Sequence, residues 1–122
     1  MITKEEIWKL YEQYVEAWKP ISGEQRTATL KEIFATNMHY LTPHFEGGPE
    51  AVLEDMTEFQ QKFPDAHFEI EDASNHHDVA LFTWVLVLAD GSKPATGHDQ
   101  IRLSAEGKIA SILTFAPSTP KP

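Results

Sequence analysis

The sequence contains no cysteine. Disulfide staples, thiolate nucleophiles and cysteine-ligated zinc are therefore excluded, and a reducing compartment suits the chain. Positive charge is scarce: ten Lys and Arg against nineteen Asp and Glu leave a formal net charge of -9. That sign repels a phosphate backbone, so no nucleic-acid partner is expected. Long apolar runs are missing too. The longest, Val79 to Ala89, is too short to span a bilayer as a helix, so no membrane partner is expected. The opening Met1-Ile2-Thr3-Lys4-Glu5-Glu6 lacks the basic-then-apolar order of a signal peptide, and a soluble cytoplasmic protein is expected. With no glycine-rich phosphate loop, nucleophile elbow or HExxH helix, nucleotide chemistry, serine hydrolysis and zincin proteolysis have no support.

What is present is 122 residues, the length of one domain able to bury a core unaided. Thr3 and Glu6 form a capping-box pattern ahead of Ile7, Leu10, Tyr11, Tyr14, Val15 and Trp18 at helical spacing, predicting a first helix that ends at Pro20. Ser22 and Gln25 repeat the signal for a second helix through Leu30, Ile33 and Phe34, stopping near Asn37. Met38 to Thr42 is a short extended segment checked by Pro43. Pro49 then opens a third helix to about Phe63, with Val52, Met56, Phe59 and Phe63 as its apolar stripe. After Pro64 the period changes. Phe68, Ile70 and Asp72 alternate with His67, Glu69 and Glu71 in a strand ending at the turn Asn75-His76-His77-Asp78. Val79 to Ala89, apolar on both faces, reads as a central strand covered on both sides. Helices followed by antiparallel strands predict an α+β domain over residues 1–116, with a proline-rich, flexible tail at 117–122. A second copy of the chain is the simplest cover for the sheet face that the helices leave open, so a homodimer is expected.

The stretch Thr96 to Phe115 carries the leading site candidate. At a period of two, Gly97, Asp99, Ile101 and Leu103 share one strand face, which puts a carboxyl on the apolar side. Such a carboxyl must find a donor or keep its proton, and groups of this kind concentrate where chemistry happens. The same pattern also fits a structural Asp99 at a strand edge, or one satisfied by an Arg or Tyr. Tyr14 is the second candidate, because its ring lies on the apolar stripe of the first helix and its hydroxyl needs a partner. An ordinary core tyrosine fits that stripe equally. His76-His77-Asp78 and His98-Asp99 suggest metal ligation, but adjacent strand residues point to opposite faces, so a solvated turn and no metal are expected.

The chain resembles the nuclear transport factor 2-like superfamily, including SnoaL-like polyketide cyclases and ketosteroid isomerases. The resemblance rests on Tyr14-Val15-Glu16-Ala17-Trp18, Glu32-Ile33-Phe34-Ala35, Gly48-Pro49-Glu50-Ala51, and Gly97-His98-Asp99-Gln100-Ile101-Arg102-Leu103 before Gly107-Lys108-Ile109. It implies a cone-shaped, cystatin-like fold: a curved antiparallel sheet wrapped on three helices around one mostly apolar pocket. Against ketosteroid isomerase, it implies Tyr14 and Asp99 as the oxyanion-hole pair, the established case of a neutral buried carboxylic acid. The isomerase's general-base aspartate falls here on Thr42 of Leu41-Thr42-Pro43, and threonine is not a base at neutral pH.

The function expected is SnoaL-like handling of a small apolar carbonyl compound without a cofactor, Asp99 serving as acid/base and Tyr14 as hydrogen-bond donor. Trp18, Tyr40, Thr42, Phe59, Trp84 and Phe115 are the expected substrate-binding residues, with His44 a possible assistant from the neighbouring loop. The alternative is a non-catalytic ligand-binding or protein-interaction module of the same fold. A limonene-type epoxide hydrolase ranks last, because its Asp-Arg-Asp set would need Arg102, which has the opposite strand parity to Asp99.

Overall fold

The computed structural model describes residues 3–122. Its helices are α1 (Lys4–Glu16), α2 (Gly23–Ile33) and α3 (Pro49–Lys62). Its strands are β1 (Phe34–Leu41), β2 (Glu46–Gly47), β3 (His67–His76), β4 (Val79–Val87), β5 (Ala95–Leu103) and β6 (Ile109–Phe115). Both capping signals act. Thr3 Oγ1 accepts from the Glu6 N–H, and Ser22 and Gln25 exchange hydrogen bonds in a reciprocal box. Pro49 occupies the first turn of α3, where its missing N–H costs nothing. Helix α1 stops at Glu16, short of Pro20. Helix α2 passes directly into β1 at Phe34, because the aromatic and β-branched run Phe34-Ala35-Thr36 lies at the sheet and pairing overrides helical continuation.

The six strands form one curved, open sheet in the order β2-β1-β6-β5-β4-β3, with the helices packed on its inner face. All pairs are antiparallel except β1 with β6, which run parallel, so the sheet is mixed rather than antiparallel throughout. The parallel pair is possible because α3 and β3 to β5 intervene as a long crossover. Strand β4 lies one place from an edge. Its inward Ala80 and Phe82 are buried, whereas outward Leu81 is 46% exposed, so this chain covers only one side of it.

Bulges set the sheet's parity. The extra residue Glu71 in β3 lets Ile70 oppose Trp84 while Asp72 opposes Thr83, turning Asp72 outward and Ala73 inward. In β6, Leu103 opposes Ile109 but Arg102 opposes Ser111, so Ala110 is extra and Ile112 and Thr114 point inward. Inward residues of β1, β4, β5 and β6, among them Met38, Phe82, Ile101 and Ile112, pack against Ile7 and Tyr11 of α1 and Val52 and Met56 of α3. Each fully buried side chain of this size contributes about 1.5–3 kcal/mol.

One charged side chain joins the helical layer. Arg26 of α2 is 6% exposed, and its Nε donates to the Ala17 carbonyl at 2.7 Å and its Nη2 to the Lys19 carbonyl at 2.8 Å. It closes carbonyls just past the end of α1, which carries no basic residue in its last turn. His76 and His77 sit at the exposed β3–β4 turn, with His77 at φ 52 and the two Nδ1 atoms 3.1 Å apart. The tail beyond Ala116 has no regular structure; the Ser118 N–H donates to the Thr96 carbonyl at 2.9 Å.

Candidate active site

Asp99 lies on the inward face of β5, between Gly97 and Ile101, and is 5% exposed. The Tyr11 hydroxyl donates to its Oδ2 at 2.7 Å and the Thr114 hydroxyl to its Oδ1 at 2.7 Å. Burial raises the Asp99 pKa above its ordinary value; the hydrogen bonds from Tyr11 and Thr114, and the Trp84 indole beside the carboxyl, oppose that shift without cancelling it. No ion pair among the described residues involves Asp99. Gly97 makes this arrangement possible. A Cβ there would lie within 2.8 Å of the Phe115 carbonyl and closer still to the Trp84 ring, so only glycine lets the indole lie across β5 beside the carboxyl.

A second carboxyl reaches the same cavity from α3. Asp55 is half-buried, and the Tyr40 hydroxyl of β1 donates to its Oδ2 at 2.5 Å. Burial raises its pKa, the Tyr40 hydrogen bond opposes the shift, Glu58 and Glu54 add to it, and His44 works against it. Tyr14 lies between the two pairs. Its pKa is raised first by burial and then by the Asp99 charge; Trp18 and Tyr40 oppose the shift, and Asp55 adds to it more weakly. Tyr11 is likewise pushed up by burial and by Asp99. Both phenols hold their protons, and Tyr11 donates its own to Asp99.

The cavity between the pairs has a volume of about 190 Å³. Tyr14, Trp18, Tyr40, Thr42, Phe59, Trp84 and Asp99, all singled out from the sequence, line it. The apolar wall is an aromatic cluster: Trp18 meets Phe59 and Phe68 edge-on, and Phe68 meets Trp84 edge-on at 5.0 Å. His44 lines the cavity as well. Thr42 holds its own loop, its Oγ1 accepting from the His44 and Phe45 N–H groups. Phe115 is elsewhere. It pairs with His98 on the outer face, is 57% exposed and is outside the lining, because the bulge at Ala110 reverses the parity counted from Ile109. The tyrosine that donates directly to Asp99 is Tyr11, not Tyr14.

Three members of the site escaped the sequence reading. Tyr11 was visible as a stripe residue one turn before Tyr14, but spacing within one helix does not say which tyrosine meets β5. Thr114 depended on the bulge. Asp55 left a usable signal: it stands three residues after Val52 and four before Phe59, on the buried edge of α3. Arg102 is exposed on the opposite face, so no Asp-Arg-Asp set forms around Asp99.

Three helices on a curved sheet give the chain a nuclear transport factor 2-like fold, with a tyrosine- and carboxyl-bearing cavity between the layers. Residues 11–112 match the SnoaL-like domain family, and the chain belongs to it. A proposed isomerase of the SnoaL-like family from Agrobacterium tumefaciens is similar at 26% identity and TM-score 0.85, over 93% of this chain and 99% of that one. A nuclear transport factor 2-like protein from an Exiguobacterium species superposes with TM-score 0.70 at 20% identity, over 91% of this chain and 99% of that chain. A proposed polyketide cyclase from Sinorhizobium meliloti does so with TM-score 0.68 at 18% identity, over 87% and 93%. At these lower identities the likeness concerns the fold alone. A comparison with curated proteins returns no significant match. No helix among the described residues is long and apolar enough to cross a membrane.

Proposed function

We propose that this protein is a cofactor-independent proton-transfer enzyme of isomerase or cyclase type, acting on a small apolar carbonyl compound. Asp99 is its acid/base group, and Tyr11 and Tyr14 hold the carboxyl and the substrate oxygen. One observation carries the reading. Asp99 is buried against an apolar cavity with hydroxyl partners and, among the described residues, no ion-pair partner, an arrangement that raises its pKa above the ordinary value and keeps it beside any ligand. Similarity to the proposed isomerase from Agrobacterium tumefaciens supports the same class of reaction.

Exchange of the α-protons of cyclohexanone in D2O, followed by NMR, tests the reaction class. Wild-type protein should accelerate exchange, and Asp99→Asn should lower the rate by roughly a hundredfold or more while the amide spectrum stays folded. Cyclohexanone binding without exchange would mark a ligand carrier instead.

We also propose a homodimer through the outer sheet face. Leu81, Gln100, Leu113 and Leu41 form one row across β4, β5, β6 and β1, with Leu41 38%, Leu81 46% and Phe115 57% exposed. Sedimentation should show a dimer at micromolar concentration, and a clean monomer would refute this.

A further inference from the structure

Asp55 has no role in the reading above, yet its position calls for one. It lies on α3, its carboxyl is tied to the hydroxyl of Tyr40 on β1, and both residues line the cavity that Asp99 and Tyr11 line from β5 and α1. The Asp55 charge acts on Asp99, and Tyr14 is influenced by both carboxyls. Their surroundings differ in one direction. Asp99 is enclosed by Tyr11, Thr114 and Trp84, whereas Asp55 is half-open and faces His44 from the loop after β1 as well as Glu54 and Glu58 of its own helix. When two acids share a site and one is drier, the wetter one releases its proton first.

We propose that Asp55, positioned by Tyr40, is the proton-accepting catalytic residue of this cavity, and that its substrate is a compact, one-ring carbonyl compound whose oxygen faces Asp99 and whose acidic C–H faces Asp55. The proposal rests on the proton-transfer reading above and divides its acid/base work, Asp99 keeping the acid part and Asp55 taking the base part. The size limit comes from volume. An enclosed cavity of ~150 Å³ binds benzene; this one, about 190 Å³ and open on one side, takes a ring with one or two small substituents inside, whereas a fused four-ring skeleton would leave most of itself outside the apolar walls. The apolar walls formed by Trp18, Phe59, Phe68 and Trp84 suit the ring, and the tyrosine–aspartate pairs suit its polar ends.

The step balances without a co-reactant. The Asp55 carboxylate takes a proton from the carbon beside the carbonyl. The C–H electron pair forms the new C=C bond, and the carbonyl π pair moves onto oxygen, which receives a hydrogen bond from the protonated Asp99 or from the Tyr14 hydroxyl. Return of the proton from Asp55 to the same carbon gives exchange. Return to a conjugated carbon two bonds further on gives an isomer. Thr42, where the resemblance to ketosteroid isomerase would place the base, is occupied in closing its own loop, so α3 supplies the carboxylate that β1 lacks.

The cyclohexanone exchange assay tests this on the intact protein, combined with 13C-carboxyl NMR of aspartate-labelled samples. Asp55→Asn should reduce exchange by roughly a hundredfold or more and Tyr40→Phe by roughly tenfold, with folded amide spectra. Resorcinol, one ring with two oxygens, should shift the carboxyl signals of both Asp55 and Asp99; a merely structural Asp55 would not respond. A four-ring steroid ketone should show no enzyme-dependent exchange. If Asp99→Asn abolishes exchange while Asp55→Asn keeps the wild-type rate, the role of Asp55 is overturned and that of Asp99 stands. If wild-type protein exchanges no protons of cyclohexanone, both fall. Steroid exchange as fast as that of cyclohexanone would overturn the size limit. If Asp55→Asn proves unfolded, the resorcinol shifts and Tyr40→Phe decide: an unmoved Asp55 signal together with wild-type exchange in Tyr40→Phe refutes the proposal.

Discussion

Two ionisable side chains in this protein are almost equally buried, Arg26 at 6% and Asp99 at 5% exposed, and burial works against the charge of both, lowering the arginine pKa and raising that of the aspartate. Their partners separate them. Arg26 directs its donors at backbone acceptors where α1 ends: the Ala17 carbonyl and the Lys19 carbonyl, the latter also accepting from the Ile21 N–H. Asp99 is held by the Tyr11 and Thr114 hydroxyls, groups that can rotate and either donate or accept, at the wall of a cavity. Burial of a charge is therefore not a sign of function by itself. What matters is whether the partners are fixed backbone or adjustable side chains, and whether space for a ligand adjoins them.

The contrast makes opposite predictions for removal of the charge. The larger effect belongs to Arg26. Arg26→Met keeps much of the stem but removes charge-assisted hydrogen bonds to two carbonyls, and should cost about 3 kcal/mol in urea unfolding while the cavity's ligand response persists. A loss below about 0.5 kcal/mol would show that water replaces the arginine freely. The smaller effect belongs to Asp99 and has the other sign. Its folded-state pKa lies above the unfolded value of about 3.9. Stability from this group is thus fully present below that pH and is lost as pH rises through the folded pKa. Asp99→Asn should match wild type in unfolding free energy near pH 4 and be the more stable of the two at pH 8. Equal differences at both pH values would mean that Asp99 does not titrate abnormally.

Much of this was legible in the sequence. The capping boxes at Thr3 and Ser22, Pro49, and the strict alternation of Gly97, Asp99, Ile101 and Leu103 are local signals, and each marks the element or face found. Features that depend on strand register were not legible. An extra residue at Ala110 turns Phe115 from the inner face to the outer and brings Thr114 in, and one at Glu71 does the same to Asp72 and Ala73. Alternation counts residues, and a bulge breaks the count without altering composition. Tyr11 and Tyr14 pose the corresponding problem for helices. Both lie on the buried stripe, and only the height of α1 above the sheet decides which hydroxyl meets Asp99.

The long-range character of that contact bears on how the protein comes into being. Tyr11 and Asp99 are 88 positions apart, and Thr114 lies on the last strand, which is also the strand that joins β1 to the rest of the sheet. Contacts between such distant positions require the closure of long loops. During synthesis the hairpin of β3 and β4 can pair as soon as it is made, but β1 waits for β6. Until then the Asp99 carboxyl stays hydrated and ionised like any surface acid. Its unusual proton affinity is acquired only when the chain's two ends meet, in the closing step of assembly.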